Sequence, residues 1–107
     1  MELTQLISYI KQKISGVDKA NLPSDTIAFQ FNVSDLGRFY VELKNKEINI
    51  EPHEYNDRDM LITINSTNLI KLIDGKLDPV KGFLMKKFKA EGDFSKVKIL
   101  AELMKKR

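Results

Sequence analysis

The sequence predicts an α+β fold: one β-sheet, greasy on one side, with helices laid over that side. Three observations predict it. Residues 1–16 repeat apolar side chains at helical spacing. Residues 27–50 alternate apolar and polar side chains through three successive runs. Residues 66–107 return mainly to helical spacing, broken by glycines, by residues suited to helix ends and by one short strand.

Leu3, Leu6, Ile7, Ile10 and Ile14 share one face of an opening helix, with Gln5, Lys11 and Gln12 on other faces. Gly16 supplies a stop, and "VDKANLPSD" reads as loop. Ile27, Phe29, Phe31 and Val33 then alternate with Ala28, Gln30 and Asn32. "SDLG" turns the chain, after which Phe39, Val41 and Leu43 alternate with Tyr40, Glu42 and Lys44. Beyond a tight turn near Asn45-Lys46, Ile48 and Ile50 carry the pattern to Pro52. The result is a three-strand antiparallel meander with one apolar face. Such a face needs a cover, which the helices must supply. "PHEYNDRD" is a polar loop, and Met60, Ile62 and Ile64 form a fourth strand. "NSTNLIKLIDG" reads as a helix, with Ser66 or Thr67 capping its start and Gly75 suiting its end. Asp78-Pro79 reads as the cap and first residue of a short helix over 79–85, since proline there gives up an amide that would be unpaired anyway. A fifth strand over 87–91 follows. Gly92-Asp93 turns and caps a last helix, whose apolar face carries Phe94, Val97, Leu100, Ala101 and Met104, widened by Ile99 and Leu103.

A chain of 107 residues is expected to form a single domain over 1–107, with one modest core. Cysteine is absent, which removes disulfides, thiolate metal sites and thiol nucleophiles. Glu2, Lys11 and Lys13 spoil any signal-peptide pattern, and no run approaches the ~20 apolar residues of a membrane span. "LMKKR" is neither a prenylation box nor the Ser-Lys-Leu peroxisomal address. A cytoplasmic location is the expectation. Net charge is +3, with lysines crowding the last third. That asymmetry suits an anionic membrane surface, nucleic acid or an anionic ligand; a solvated helical face is the simpler reading.

Motifs with chemistry are weak. Gly75-Lys76 lacks the earlier glycine and the following Ser or Thr of a phosphate loop: Ile70 and Leu77 stand there. His53, Glu54, Asp57 and Asp59 share one loop, but a single histidine at no known ligand spacing argues against a metal. Nothing like a nucleophile elbow surrounds any serine, and the Asp57/Asp59 pair lies in a turn. An enzyme is not expected. Phe29, Phe31 and Phe39 sit at strand positions, as in some RNA-binding sheets, yet their face is too apolar for wet base stacking. What remains is excess apolar surface competing for one interior. A solid core would absorb it; so would a cavity, where the thioethers of Met60, Met85 and Met104 adapt well.

From "GKLDP" through "FLMKKFKAEGD" the chain resembles the sterol carrier protein 2 family, and the similarity extends over nearly the whole sequence. "GRFYVELKNKEINI" resembles that family's second and third strands. "RDMLITINSTNLIKLIDGKLDP" resembles its central stretch, with Asp59, Ile62, Leu69, Gly75, Lys76, Asp78 and Pro79 at the expected positions. Phe83, Lys87, Lys89, Gly92 and Asp93 continue in register. Lys86 stands where the family usually has glycine, Ala90 replaces a larger aliphatic residue, and Gly82 replaces alanine.

The resemblance implies a five-stranded mixed sheet of order 3-2-1-4-5, covered on one face by helices, with an apolar tunnel between the layers for sterols, fatty acids or fatty acyl-CoAs. The expected function is lipid binding or transfer without catalysis, cofactor or metal, by a monomer or homodimer. The expected lining comprises Phe31, Phe39, Val41, Met60, Ile62, Leu69, Ile73, Phe83, Leu84, Phe88, Leu100, Leu103 and Met104. The last helix is a candidate lid, with Lys105, Lys106 and Arg107 meeting an anionic head group or membrane. The alternative is a protein-interaction or dimerisation module holding no lipid. A basic nucleic-acid binder ranks third.

Overall fold

The structure is a computed structural model and describes residues 1–104, apart from the side chains of Asn21 and Met104. Helix α1 (Leu3–Ile14) buries Leu6, Ile7, Ile10 and Ile14, the spacing that predicts it. Its first turn is closed by Gln5, whose Oε1 accepts the Glu2 N–H at 2.8 Å. The loop that follows contains one turn of 3₁₀ helix, Lys19–Asn21, capped by Asp18.

Strands β1 (Ile27–Val33), β2 (Gly37–Lys44) and β3 (Glu47–Glu51) form the meander. Asn45 and Lys46 both take positive φ, 53° and 62°, as a two-residue hairpin turn of the twist-matched kind demands. Strand β4 (Met60–Ile64) pairs parallel to β1, and β5 (Lys89–Gly92) pairs antiparallel to β4. The sheet order is β3-β2-β1-β4-β5. Register puts Phe29 opposite Val41 and Phe31 opposite Phe39, while Met60 and Ile62 lie beside Phe29 and Phe31. All of these side chains therefore face one way, and all are buried. Helices α1, α2 (Ser66–Ile73) and α4 (Val97–Met104) complete the same apolar cluster through Leu6, Ile10, Leu69, Leu72, Leu100 and Leu103.

The opposite face is polar and partly covered by the loop at 52–59. Tyr55 donates its backbone N–H to Gln30 Oε1 at 2.6 Å and its hydroxyl to Glu42 at 2.7 Å, and its ring meets Tyr40 edge-on at 5.0 Å. Asp59 works on the backbone: Oδ2 accepts the Ala28 N–H at 2.8 Å, and its carbonyl accepts the Asp93 N–H at 2.8 Å.

Two local expectations are corrected. Helix α2 is capped by Asn65, whose side chain accepts the Asn68 N–H at 2.8 Å, and not by Ser66 or Thr67. Ser66 instead donates its N–H and its hydroxyl to Asp35, at 2.9 and 2.5 Å, tying α2 to the β1–β2 turn. The fifth strand begins at Lys89, two residues later than expected. The Lys87 N–H is taken by Gly82 O at 2.9 Å in closing α3 (Pro79–Leu84), and Lys87 O accepts from Asn68 at 2.8 Å. Both backbone groups of Lys87 are thus engaged outside the sheet.

Candidate apolar cavity

A cavity of about 300 Å³ lies between the β4–β5 end of the sheet, helix α3 and the start of α4. Its floor is Met60 and Ile62. Across the ladder from Ile62 stands Ala90, whose single methyl leaves space that a longer side chain would fill. Pro79, Val80 and Phe83 form one wall, Phe88 another, and Phe94, Val97 and Leu100 the roof. Every lining side chain is apolar. The site can exclude water and hold hydrocarbon; it presents no side chain able to transfer a proton or attack a bond.

Local sequence sets this geometry. Asp78 accepts the N–H groups of Val80 and Lys81 at 2.9 and 3.0 Å, and Pro79 fills the first helical position, so α3 starts at a defined point. At its end Lys86 adopts φ 59°, and the Lys87-to-Gly82 bond completes a reversing cap. Gly82 sits against Phe88: a β-carbon there would come within 2.9 Å of the ring. Phe83 stacks obliquely on Phe88 and Phe94 at 6.2 and 5.5 Å. Gly92 closes β5 at φ 114° against the backbone of Asp59, where a β-carbon would lie 2.3 Å from the carbonyl oxygen. Asp93 then caps the 3₁₀ turn Phe94–Lys96 that leads into α4. Ser95 bonds to the Asp93 carboxylate and holds it below the usual carboxylate range.

Sequence comparison agrees with this architecture. The profile of the SCP-2 sterol transfer family matches residues 10–105. The chain belongs to the SCP-2 sterol transfer family. Among curated proteins it is 32% identical over 79 residues to bovine (Bos taurus) hydroxysteroid dehydrogenase-like protein 2, covering 71% of this chain and 19% of that protein. The human protein of the same name is 29% identical over 77 residues. The chain thus spans about a fifth of the length of these relatives. Among solved structures, palmitated SCP2L2 from Aedes aegypti superposes with a TM-score of 0.70 at 19% identity, covering 97% of this chain and 95% of that one. The sec-alkylsulfatase Pisa1 from Pseudomonas sp. gives 0.76 at 15% identity, covering 90% of this chain and 15% of the enzyme.

Within this SCP-2 fold the expected lining residues divide. Met60, Ile62, Phe83, Phe88 and Leu100 come together around the cavity. Phe31, Phe39, Val41, Leu69, Ile73 and Leu103 belong to the close-packed cluster and do not line it. Phe31 and Phe39 stack face to face at 5.0 Å. Leu84 is 71% exposed and does not line the cavity. The Met104 side chain and Lys105, Lys106 and Arg107 lie outside the described residues. Pro79, Val80, Ala90, Phe94 and Val97 line the cavity without having been expected to. The shortness of Ala90 at a strand position facing the core is the signal that points to them. His53, Glu54, Asp57 and Asp59 build no metal site: among the described residues no group of three or more such side chains converges. Glu54 pairs instead with Arg38 and Arg58, at 3.2 and 3.7 Å. Among the same residues no helix is long and apolar enough to cross a membrane.

Proposed function

We propose that the chain is a lipid-binding or lipid-transfer module that holds one acyl chain, as a fatty acid or fatty acyl-CoA, in the cavity between β4, β5, α3 and α4, and performs no chemistry on it. The observation that carries this reading is the wholly apolar lining of a 300 Å³ cavity in an SCP-2 family chain. Ligand pockets run from about 300 to 1,000 Å³, so this one sits at the slender end, which favours a single chain over a ring system such as a sterol. Each buried methylene contributes roughly 0.8 kcal/mol, and ten give about 8 kcal/mol before association costs are subtracted. The structural neighbour from Aedes aegypti is described as palmitated, which supports an acyl ligand by analogy of fold.

Gentle purification followed by native mass spectrometry and lipid extraction tests the proposal, together with displacement of a fluorescent fatty acid. The expected result is one chain per protein and a weaker uptake, by tenfold or more, in Ala90→Phe, whose ring occupies the cavity. An empty, stable dimer that takes up no fatty acid would overturn the proposal and favour an interaction module.

A further inference from the structure

The cavity reaches the surface through side chains that are themselves out of place in water. Val80 and Phe94 are each 50% exposed, and Phe83 is exposed beside them. Leu84 and Met85, at the end of α3, are exposed at 71% and 63% without lining the cavity. Apart from Met1, these are all the exposed large apolar residues among those described, and they gather on α3 and the turn entering α4. Scattered apolar exposure is ordinary; a contiguous patch at one end of a molecule marks an interaction site.

Charge identifies the partner. Between Lys76 and Lys98 seven lysines stand against three acids, a surplus of four, while the rest of the chain carries a net charge of −1. Of the acids, Asp78 and Asp93 are engaged in capping backbone N–H groups, and Glu91 alternates to the opposite face of β5 from Ala90. Lys81, Lys86 and Lys87 are exposed: Lys81 directly follows Val80, and Lys86 and Lys87 directly follow Leu84-Met85. Lys86 and Lys87 form no ion pair among the described residues. Apolar side chains that enter the acyl boundary, bordered by cations that meet head groups, are the recipe for seating a protein on an anionic bilayer.

We infer that α3 and the turn before α4 are the membrane-docking face of this protein: Leu84 and Met85 insert into an anionic bilayer, Lys81, Lys86 and Lys87 contact its head groups, and the cavity mouth is thereby held against the lipid phase. The purpose of the contact rests on the proposed acyl ligand, but the contact itself does not, and the two are read separately.

Flotation of the full chain with vesicles of phosphatidylcholine alone, and of phosphatidylcholine mixed with phosphatidylglycerol, tests the inference. Binding is expected to the mixed vesicles only and to weaken with salt, as screening demands. Leu84→Ser/Met85→Ser is expected to weaken it by at least about tenfold, since two large side chains lose their place in the hydrocarbon. Fatty-acid uptake from solution and the thermal melt should stay unchanged, because neither side chain lines the cavity. Lys86→Gly separates charge from folding: it is expected to stabilise the protein while weakening vesicle binding by about fivefold, the contribution of one lysine near an anionic surface. No binding to mixed vesicles, equal binding to both kinds, or undiminished binding by the double variant overturns the inference. So does a dimer in solution that Leu84→Ser/Met85→Ser dissociates, since the patch would then belong to a second copy of the chain. Loss of uptake with vesicle binding intact would overturn the acyl proposal alone.

Discussion

Lys86 has a side chain where the backbone asks for none. Its φ of 59° is the left-handed conformation that follows a helix end, and the sequence comparison within the chain shows the usual solution eleven residues earlier: Gly75 closes α2 at φ 75°. Both caps carry the same reversing bond, Lys76 N–H to Lys71 O at 2.8 Å and Lys87 N–H to Gly82 O at 2.9 Å. A β-carbon in this conformation costs roughly 1–2 kcal/mol, partly offset by the entropy glycine loses on folding. Lys86→Gly should therefore stabilise by about 0.5–1 kcal/mol, measured as a higher urea midpoint. Tyr55 offers a pH-dependent counterpart. Its hydroxyl donates to Glu42, which together with burial and nearby carboxylates pushes the phenol up from 10.0 to about 12; the same bond, with one from Asn49, holds Glu42 below 4.5. A raised phenol stabilises the fold below its unfolded value and loses that stabilisation as pH climbs from 10 to about 12. A depressed carboxyl stabilises above 4.5 and loses that as pH falls below it. Tyr55→Phe should cost about 1 kcal/mol between those limits, discounted for the pair's partial exposure, and the difference from wild type should shrink on both sides. Urea unfolding of the two proteins across the pH range reads it directly; a difference independent of pH would show that packing rather than the bond is lost.

At the scale of elements, most of the order α-β-β-β-β-α-α-β-α was legible because the two periodicities are local: 3.6 for α1 and α4, 2 for β1 to β4. The misses are also informative. Three consecutive residues, Asn65, Ser66 and Thr67, are all competent caps, and no local rule chooses among them; Asp35, thirty-one residues away, takes Ser66 and leaves Asn65 to the helix. The start of β5 moved because a helix cap and Asn68 had claimed Lys87 first. Helix α4 was expected to serve as a lid. Two of its leucines, Leu100 and Leu103, are in fact sealed in the core, at 3% and 4% exposure, so it is anchored as well as roofing the cavity. Removing a buried leucine costs about 2–5 kcal/mol. Truncation after Lys98 should therefore lower stability by about 4 kcal/mol or more, seen as a broadened, depressed thermal melt, and any loss of lipid uptake would follow from that. A truncate that melts like the full chain would restore the lid as an independently moving element.

At the scale of the whole molecule, a ligand that binds only the folded cavity must stabilise the fold by mass action. At a hundredfold excess over its Kd, a fatty acid should add about 2.7 kcal/mol, and a domain of this size converts that to roughly 10 °C or more in Tm. A calorimetric scan with and without a long-chain fatty acid checks it, and an unmoved Tm at saturating ligand would count against occupancy of the cavity. The sequence by itself determined the elements, their apolar faces and the side of the sheet that must be covered, because each depends on spacing along a few residues. It also carried the family, through residues 58–93 above all. It did not separate lining from core: Phe31 and Ile62 are equally apolar, adjacent in register and buried alike, yet only Ile62 meets the cavity. That distinction was decided by the tertiary structure, which set a single short side chain, Ala90, opposite Ile62 and stood α3 away from the sheet on its two caps. Empty volume is a property of what several distant segments together fail to fill, and no stretch of sequence states it alone.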